Sequence, residues 1–263
     1  MRALSFPSVV ALTLASRAIA LVPHTWVGFN AASSYATPTV QVLKGSAEND
    51  VLTYSGESVT TIDGGAGYDV LYLQGATNLT PALLTNGMAN IEQIWAQNES
   101  ANTISLTDAD LLKNPAPLLI NMDAGDRVIL NGTSYDYSDV DTQSLMVDTT
   151  GDDTLIATGA NDHFLDRGGS NTYVWLPNQK GTDRIDGFSQ GRDKLDISKL
   201  LQGYSSGSIA NYVTVSTNGY DTTVRVDLDG SGPLTNTQTI ILKDVAINST
   251  AEQLLTAGAL KVL

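Results

Sequence analysis

The sequence predicts a mostly β protein: short parallel β-roll segments, then a β-rich C-terminal domain that ends in a short helix and a strand. Three observations lead there. A glycine-rich nonapeptide recurs at a fixed period, which marks stacked repeats. Apolar residues alternate over short runs bounded by turn formers. The composition, 42% hydrophobic but 6% aromatic with 23 glycines, leaves little for long amphipathic helices.

Residues 1–40 come first. Met1-Arg2 leads into an apolar stretch from Ala3 to Ala15, and Ser16-Arg17-Ala18-Ile19-Ala20 offers small residues to a signal peptidase. Pro7 and Arg17 interrupt the pattern, so the segment reads either as an export signal or as the frayed end of a longer chain. No other stretch is apolar for the ~18 residues a membrane-spanning helix needs.

The first array opens the next segment, residues 41–148. Gly64-Gly65-Ala66-Gly67-Tyr68-Asp69-Val70-Leu71-Tyr72 matches G-G-x-G-x-D-x-U-x at every defined position. Gly45 to Leu52 is a degraded copy, and Leu52, Ile62 and Leu71 hold the apolar position at spacings of ten and nine. The remainder of this segment alternates like strands at Asn90–Trp95, Asn102–Leu106, Leu118–Asn121 and Arg127–Leu130. Thr107 to Leu112 reads as a capped helical turn stopped by Asn114-Pro115, and Met122 to Asp126 as a plain turn whose Asp123 and Asp126 are turn formers rather than ligands.

A second array fills residues 149–175. Asp153, Asp162 and Asn171 lie nine apart, as do Leu155, Phe164 and Tyr173, with Gly151, Ala160 and Gly169 at the small position. Two residue sets holding one period make this signal strong. In such a repeat the glycines permit unusual dihedrals and close backbone approach, and carbonyls and the Asp carboxylate face a hard cation. The next three residues form a short strand. Two repeats complete one coil, so a Ca²⁺ site joins residues ~18 apart on one side of the roll. The expected ligand set is Asp50, Gly64, Ala66 and Asp69 in the first array, and Gly151, Asp153, Asp162 and Asn171 in the second. Asp50 pairs with Asp69 and Asp153 with Asn171, while Asp162 lies on the opposite edge; Asn171 offers only a neutral oxygen. Turns of this composition can also close on hydrogen bonds alone.

Residues 176–263 change texture. Strands are expected at Tyr212–Ser216, Thr222–Asp227 and Thr239–Leu242. Asp227-Leu228-Asp229-Gly230 resembles the start of a calcium loop, but Gln238 at the twelfth position supports a hairpin turn instead. Ser249-Thr250-Ala251-Glu252 reads as a capping box, Gly258 as a helix stop, and Ala259 to Leu263 as an apolar strand.

Charge limits the function. The chain carries 28 Asp and Glu against 14 Lys and Arg, a net charge of −14, and no basic patch, which argues against nucleic acid. It has no cysteine. An extracellular protein without disulfides needs other cross-links, and bound metal is one kind.

On these motifs the chain resembles the C-terminal region of large repeats-in-toxin adhesins. Gly151 to Leu263 is similar to a type I secretion C-terminal target domain: repeat, Asn171-Thr172-Tyr173-Val174-Trp175, Gly181-Thr182-Asp183, Asp193-Lys194-Leu195-Asp196, then the strand and helix finish. Residues 41–148 are similar, more loosely, to the module that often precedes it, through Asn90-Ile91-Glu92, Asn102-Thr103-Ile104 and Asp123-Ala124-Gly125-Asp126. The resemblance implies an uncleaved C-terminal signal, an ABC transporter and its channel as export partners, an extracellular or cell-surface location, and folding on Ca²⁺ after transit. The chain departs from that family in lacking long adhesive repeats and an N-terminal anchor.

No enzyme is expected. Gly203-Tyr204-Ser205-Ser206-Gly207 fits G-x-S-x-G, yet both histidines, His24 and His163, precede Ser205, and the helix that a nucleophile elbow requires is missing. There is no H-E-x-x-H. His163 occupies a variable repeat position and is expected to be exposed. Two other readings stay open: the tail of a secreted hydrolase, or a stand-alone module that binds a cell-surface glycan or peptide.

Overall fold

The computed structural model describes residues 41–136, 143–201, 203–205, 207–232 and 237–263. The N-terminal segment 1–40, with its candidate signal and His24, lies outside them.

Strands β1 (Gln41–Lys44), β2 (Val51–Tyr54), β3 (Val59–Asp63) and β4 (Val70–Leu73) make two stacked coils. β1 pairs in parallel with β3 and β2 with β4, which sets Leu43 beside Ile62 and Leu52 beside Leu71. This is the two-sided roll the nonapeptide spacing predicts, because each glycine turn reverses the chain after one short strand.

Beyond Leu73 the coil gains a third side. β5 (Asn78–Leu79), β6 (Gly87–Ala89), β7 (Gln93–Trp95), β8 (Thr103–Leu106), helix α1 (Asp108–Leu111), β9 (Leu118–Met122) and β10 (Arg127–Leu130) follow in order. β6 stacks on β3, β7 on β4, β8 on β5, β9 on β7 and β10 on β8, all parallel. α1 replaces a strand on the side of β6; Thr107 caps it, donating its N–H (2.8 Å) and hydroxyl (2.6 Å) to Asp110 Oδ2. The segment expected to be a separate run of strands therefore continues the same coil at a longer period, Leu71 to Ile94 to Ile120.

The chain then turns back. β11 (Thr133–Asp136) runs antiparallel to β10, and β12 (Gln143–Val147) runs antiparallel to β9 with Leu145 opposite Ile120. β12 starts a second two-sided roll with β13 (Thr154–Ile156), β14 (Asn161–Leu165), β15 (Thr172–Val174), β16 (Gly181–Asp186) and β17 (Lys194–Asp196). β14 stacks on β12 and β16 on β14 along one side; β15 stacks on β13 and β17 on β15 along the other. A meander of β18 (Val213–Thr217), β19 (Thr222–Asp227) and β20 (Thr237–Lys243) joins the first side through β16, and the antiparallel pairing of β19 with β20 is the expected hairpin. α2 (Ala251–Thr256) and β21 (Leu260–Lys261) end the chain, β21 on β17. One ten-stranded sheet thus runs β18-β19-β20-β16-β14-β12-β9-β7-β4-β2 through both rolls.

The expected helix is one residue later than the capping-box reading. Thr250, not Ser249, is the N-cap: Gln253 N–H donates to Thr250 Oγ1 (3.3 Å) and Thr250 N–H to Gln253 Oε1 (2.8 Å). Thr-Ala-Glu-Gln satisfies the same reciprocal pattern as Ser-Thr-Ala-Glu, and the later register buries Ala251 and Leu254.

Inward side chains fill both rolls. Ile62, Leu71, Ile94, Ile120 and Leu145 are fully buried in the first, and Phe164, Tyr173, Trp175 and Ile185 in the second. Phe164 meets Tyr173 edge-on at 5.4 Å and Trp175 at 6.2 Å. The aromatics are few but concentrated here, which gives a narrow roll a core of adequate volume.

Candidate metal centre at the coil turns

The coil turns stack with almost no space between backbones. A Cβ on Gly64 would lie 1.8 Å from Asn90 O and 2.6 Å from Asp69 Oδ2, and one on Gly65 (φ +102°) 1.9 Å from Ser46 O. Only glycine fits either position. Ala66 N–H donates to Ser46 O at 3.1 Å, which ties the turn to the one before it.

The carboxylates form a ladder along this edge. Asp50 N–H donates to Asp69 Oδ1 (2.8 Å), and Asp69 N–H donates to Glu92 Oε2 (2.7 Å). Asp50 and Asp69 therefore stack on adjacent turns, but Asp50, expected to be a ligand, already takes Ser46 N–H (2.6 Å) and Ser46 Oγ (2.8 Å) on its Oδ2. Asp69 is fully buried, and its second oxygen, Oδ2, has no hydrogen-bond partner. Burial pushes its carboxyl above the ordinary range; the Asp50 N–H opposes this, and the charges of Glu92, Asp50 and Asp63 add to it. A buried, orphaned carboxylate oxygen among close-packed backbone carbonyls is what a hard, oxygen-seeking cation would complete. The fit to Ca²⁺ rests on this one oxygen: among the described residues no group of three or more His, Cys, Asp or Glu side chains is placed to hold a metal ion, and the Gly64 carbonyl, an expected ligand with that of Ala66, packs against Gly45, so Asp69 would need other backbone oxygens to complete a shell. The ion would supply the positive charge that this edge lacks.

The second array does not fit. Asp153 Oδ2 accepts from Thr149 N–H (2.9 Å) and Thr149 Oγ1 (2.7 Å). Asp162, 2% exposed, accepts from Thr158 N–H (2.7 Å), Thr158 Oγ1 (2.6 Å) and the Ser144 hydroxyl. Asn171 accepts Asp153 N–H at 2.9 Å, the expected pairing, but its Nδ2 donates to Asp148 Oδ2 (2.8 Å) and Gly168 O (3.0 Å). Its only possible side-chain ligand atom, Oδ1, thus already holds the Asp153 N–H. Gly151 gives its N–H to Thr149 Oγ1 (3.1 Å), and its carbonyl lies against Gly169. Gly151, Asp153, Asp162 and Asn171 were expected to be ligands; here both Asp162 oxygens, Asp153 Oδ2 and Asn171 Oδ1 are committed to protein donors, and the Gly151 carbonyl is packed against Gly169. Asp162 does lie on the opposite edge, near the start of β14 just after the turn from β13.

Sequence reasoning missed several buried acids. Asp148 is pushed up to about 8, chiefly by burial, against the Arg167 N–H donated to it at 2.7 Å. Asp183 is pushed up to about 7 by burial and by the charge of Asp162, although Trp175 Nε1 (2.6 Å) and Gln238 Nε2 (2.8 Å) donate to it. The available signal was Asp148 and Asp166 standing at the first repeat position, where Gly64 stands in the first array. Asp126, taken as a turn former, serves as one: it accepts from Asn102 N–H (2.8 Å) and Asp123 N–H (2.9 Å). His163 is 5% exposed rather than exposed, because β14 lies between β12 and β16 and Tyr135 stacks edge-on over the ring at 5.6 Å. Its Nε2 lies 3.2 Å from Asp186.

No family model matches the chain, and no curated protein matches it. Among solved structures it is similar to the solution structure of the AlgE6R3 subunit from the Azotobacter vinelandii mannuronan C5-epimerase, at 15% identity over 83% of this chain and 84% of that one. The TM-score is 0.26, too low for the likeness to decide fold or function; the parallel coils establish the fold.

Proposed function

We propose that the chain is a secreted, calcium-binding β-roll protein of the repeats-in-toxin kind, adhesin-like in role and not an enzyme. The observation that carries this reading is Asp69 Oδ2, fully buried and without a protein donor beside a glycine turn that no side chain can enter. Leaving such an oxygen unsatisfied costs roughly 1–3 kcal/mol or more, and a bound cation removes that cost. A site with one committed carboxylate oxygen suits the 10⁻⁴–10⁻³ M affinity typical of extracellular modules. It stays empty where calcium is scarce and fills outside the cell. The C-terminal α2 and β21 support a type I export signal read by an ABC transporter and its channel, and a cell-surface glycan or peptide is the proposed ligand class.

Isothermal titration calorimetry of the full chain with CaCl₂ tests the core of this reading. The expected result is saturable binding in the high micromolar to millimolar range, much weaker with MgCl₂, and abolished by Asp69→Asn while that variant stays folded. Heats no larger than dilution for the wild type would end it.

A further inference from the structure

We propose that the second roll is closed by side-chain latches in place of ions, so that residues 143–201 fold without calcium while the glycine turn at 64–69 depends on it. The first half of that statement stands on hydrogen-bond geometry alone; the second rests on the function proposed above.

The latch has a defined form. A residue four positions before the acid donates its N–H to the carboxylate, and at Thr149, Thr158 and Ser46 the hydroxyl donates as well. Thr149 does so to Asp153, Thr158 to Asp162, and Ser46 to Asp50 at 2.6 Å (N–H) and 2.8 Å (Oγ). Ser189 donates its N–H to Asp193 at 2.5 Å. The next coil then receives the acid's own N–H: Asp153 to Asn171 (2.9 Å), Asn171 to Asp193 (2.9 Å), and Asp162 to Asp183 (2.9 Å). Every rung ends on a protein donor.

At Asp69 the latch position is Gly65. Its positive φ and the 1.9 Å approach to Ser46 O forbid the side chain that a latch needs. The two turn types therefore exclude each other. A glycine turn leaves a carboxylate oxygen open to a cation; a hydroxyl turn closes it. The first repeat position reinforces the division. A Cβ at Gly64 would point at Asp69 Oδ2, whereas Asp148 fills the matching place and takes a hydrogen from Asn171 Nδ2. Tyr173 Oη likewise donates to Asp166 at 3.0 Å, in the turn that follows. A cation entering these turns would have to displace N–H, O–H and amide donors already seated on the oxygens it needs.

Hydrogen–deuterium exchange of the full chain, read by mass spectrometry in millimolar CaCl₂ and in EGTA, tests this. Peptides from 143–201 are expected to be protected equally in both, while peptides from 45–73 gain protection with calcium. Loss of protection in 143–201 on chelation, or its absence in both media, would overturn the proposal. If neither region responds and 143–201 stays protected, the latch stands and the Asp69 reading fails. Thr158→Val should speed exchange in 158–165 about fivefold and lower the Tm by about 2–4 °C in either medium, with Thr158→Ser close to wild type. A Val variant indistinguishable from wild type in EGTA would refute the latch.

Discussion

Asp148 and Asp183 set the response of this molecule to pH. Both are buried carboxyls held above the ordinary carboxylate range, at about 8 and about 7. In the folded state each keeps its proton at pH values where the unfolded chain has lost it, so the folded form binds more protons and stability falls as pH rises from the ordinary range through those values. Asp186 acts in the opposite sense. Burial pushes it up, but the His163 and Arg184 side chains bring it down to about 2, so its contribution is present above the ordinary range and lost as pH falls toward 2. The melting temperature in chelator is thus expected to decline between pH 5 and pH 8, and Asp148→Asn should flatten that slope. A melting temperature that climbs across this interval would contradict the assignment. Residue chemistry of this kind was partly legible beforehand. The pairing of Asp50 with Asp69 and of Asp153 with Asn171 followed from spacing. What spacing could not show was which oxygens the protein's own donors would occupy, because that depends on Thr149, Thr158 and Ser144, residues the repeat pattern treats as variable.

At the scale of elements, the finish of the chain is the most exposed to test. α2 buries Ala251 and Leu254, and β21 adds Leu260 beside Leu195 on the edge of the smaller sheet of the second roll. Lys261 reaches Asp196 at 2.8 Å. Deleting 249–263 is expected to uncover Leu195, lower the melting temperature, and leave the product in the cytosol of cells carrying a type I exporter; secretion at wild-type level would remove the export signal from these residues. Thr250→Ala alone should cost about 1 kcal/mol through the lost cap, measurable by denaturant melts, without the full effect of the deletion. The strands of this region were readable from alternation, and the helix from its cap. Its start slipped by one residue because Ser249 and Thr250 both fit the same local pattern, and only the burial of Ala251 and Leu254 chooses between them.

Across the whole molecule, the decisive feature is the seam between β9 and β12. Parallel coils on both sides meet there through antiparallel pairing, Met122 opposite Gln143 through Leu118 opposite Val147. Ile120 and Leu145 are fully buried at its centre. Leu145→Ala should cost about 2–5 kcal/mol, as for other fully buried leucines, and thermal denaturation should then show the rolls melting less cooperatively; an unchanged single transition at the wild-type temperature would show that the seam couples nothing. Little of this could be read beforehand. The three-sided coils repeat at 23 to 26 residues and not at nine, as Leu71, Ile94 and Ile120 show, and their turns are made by Asn102, Asp126 and α1 rather than by a glycine consensus. A period that varies from coil to coil leaves no signature in a search for fixed repeats.

The seam also governs how such a chain can change length. Because the two parallel stacks join through the antiparallel pair β9 and β12, layers inserted within either stack meet neighbours of their own direction and leave that joint untouched. One additional pair of nonapeptides next to 166–171 would lengthen the second stack by a single strand spacing, about 4.8 Å, and its own turn residues would decide whether the new layer answers to the ionic medium.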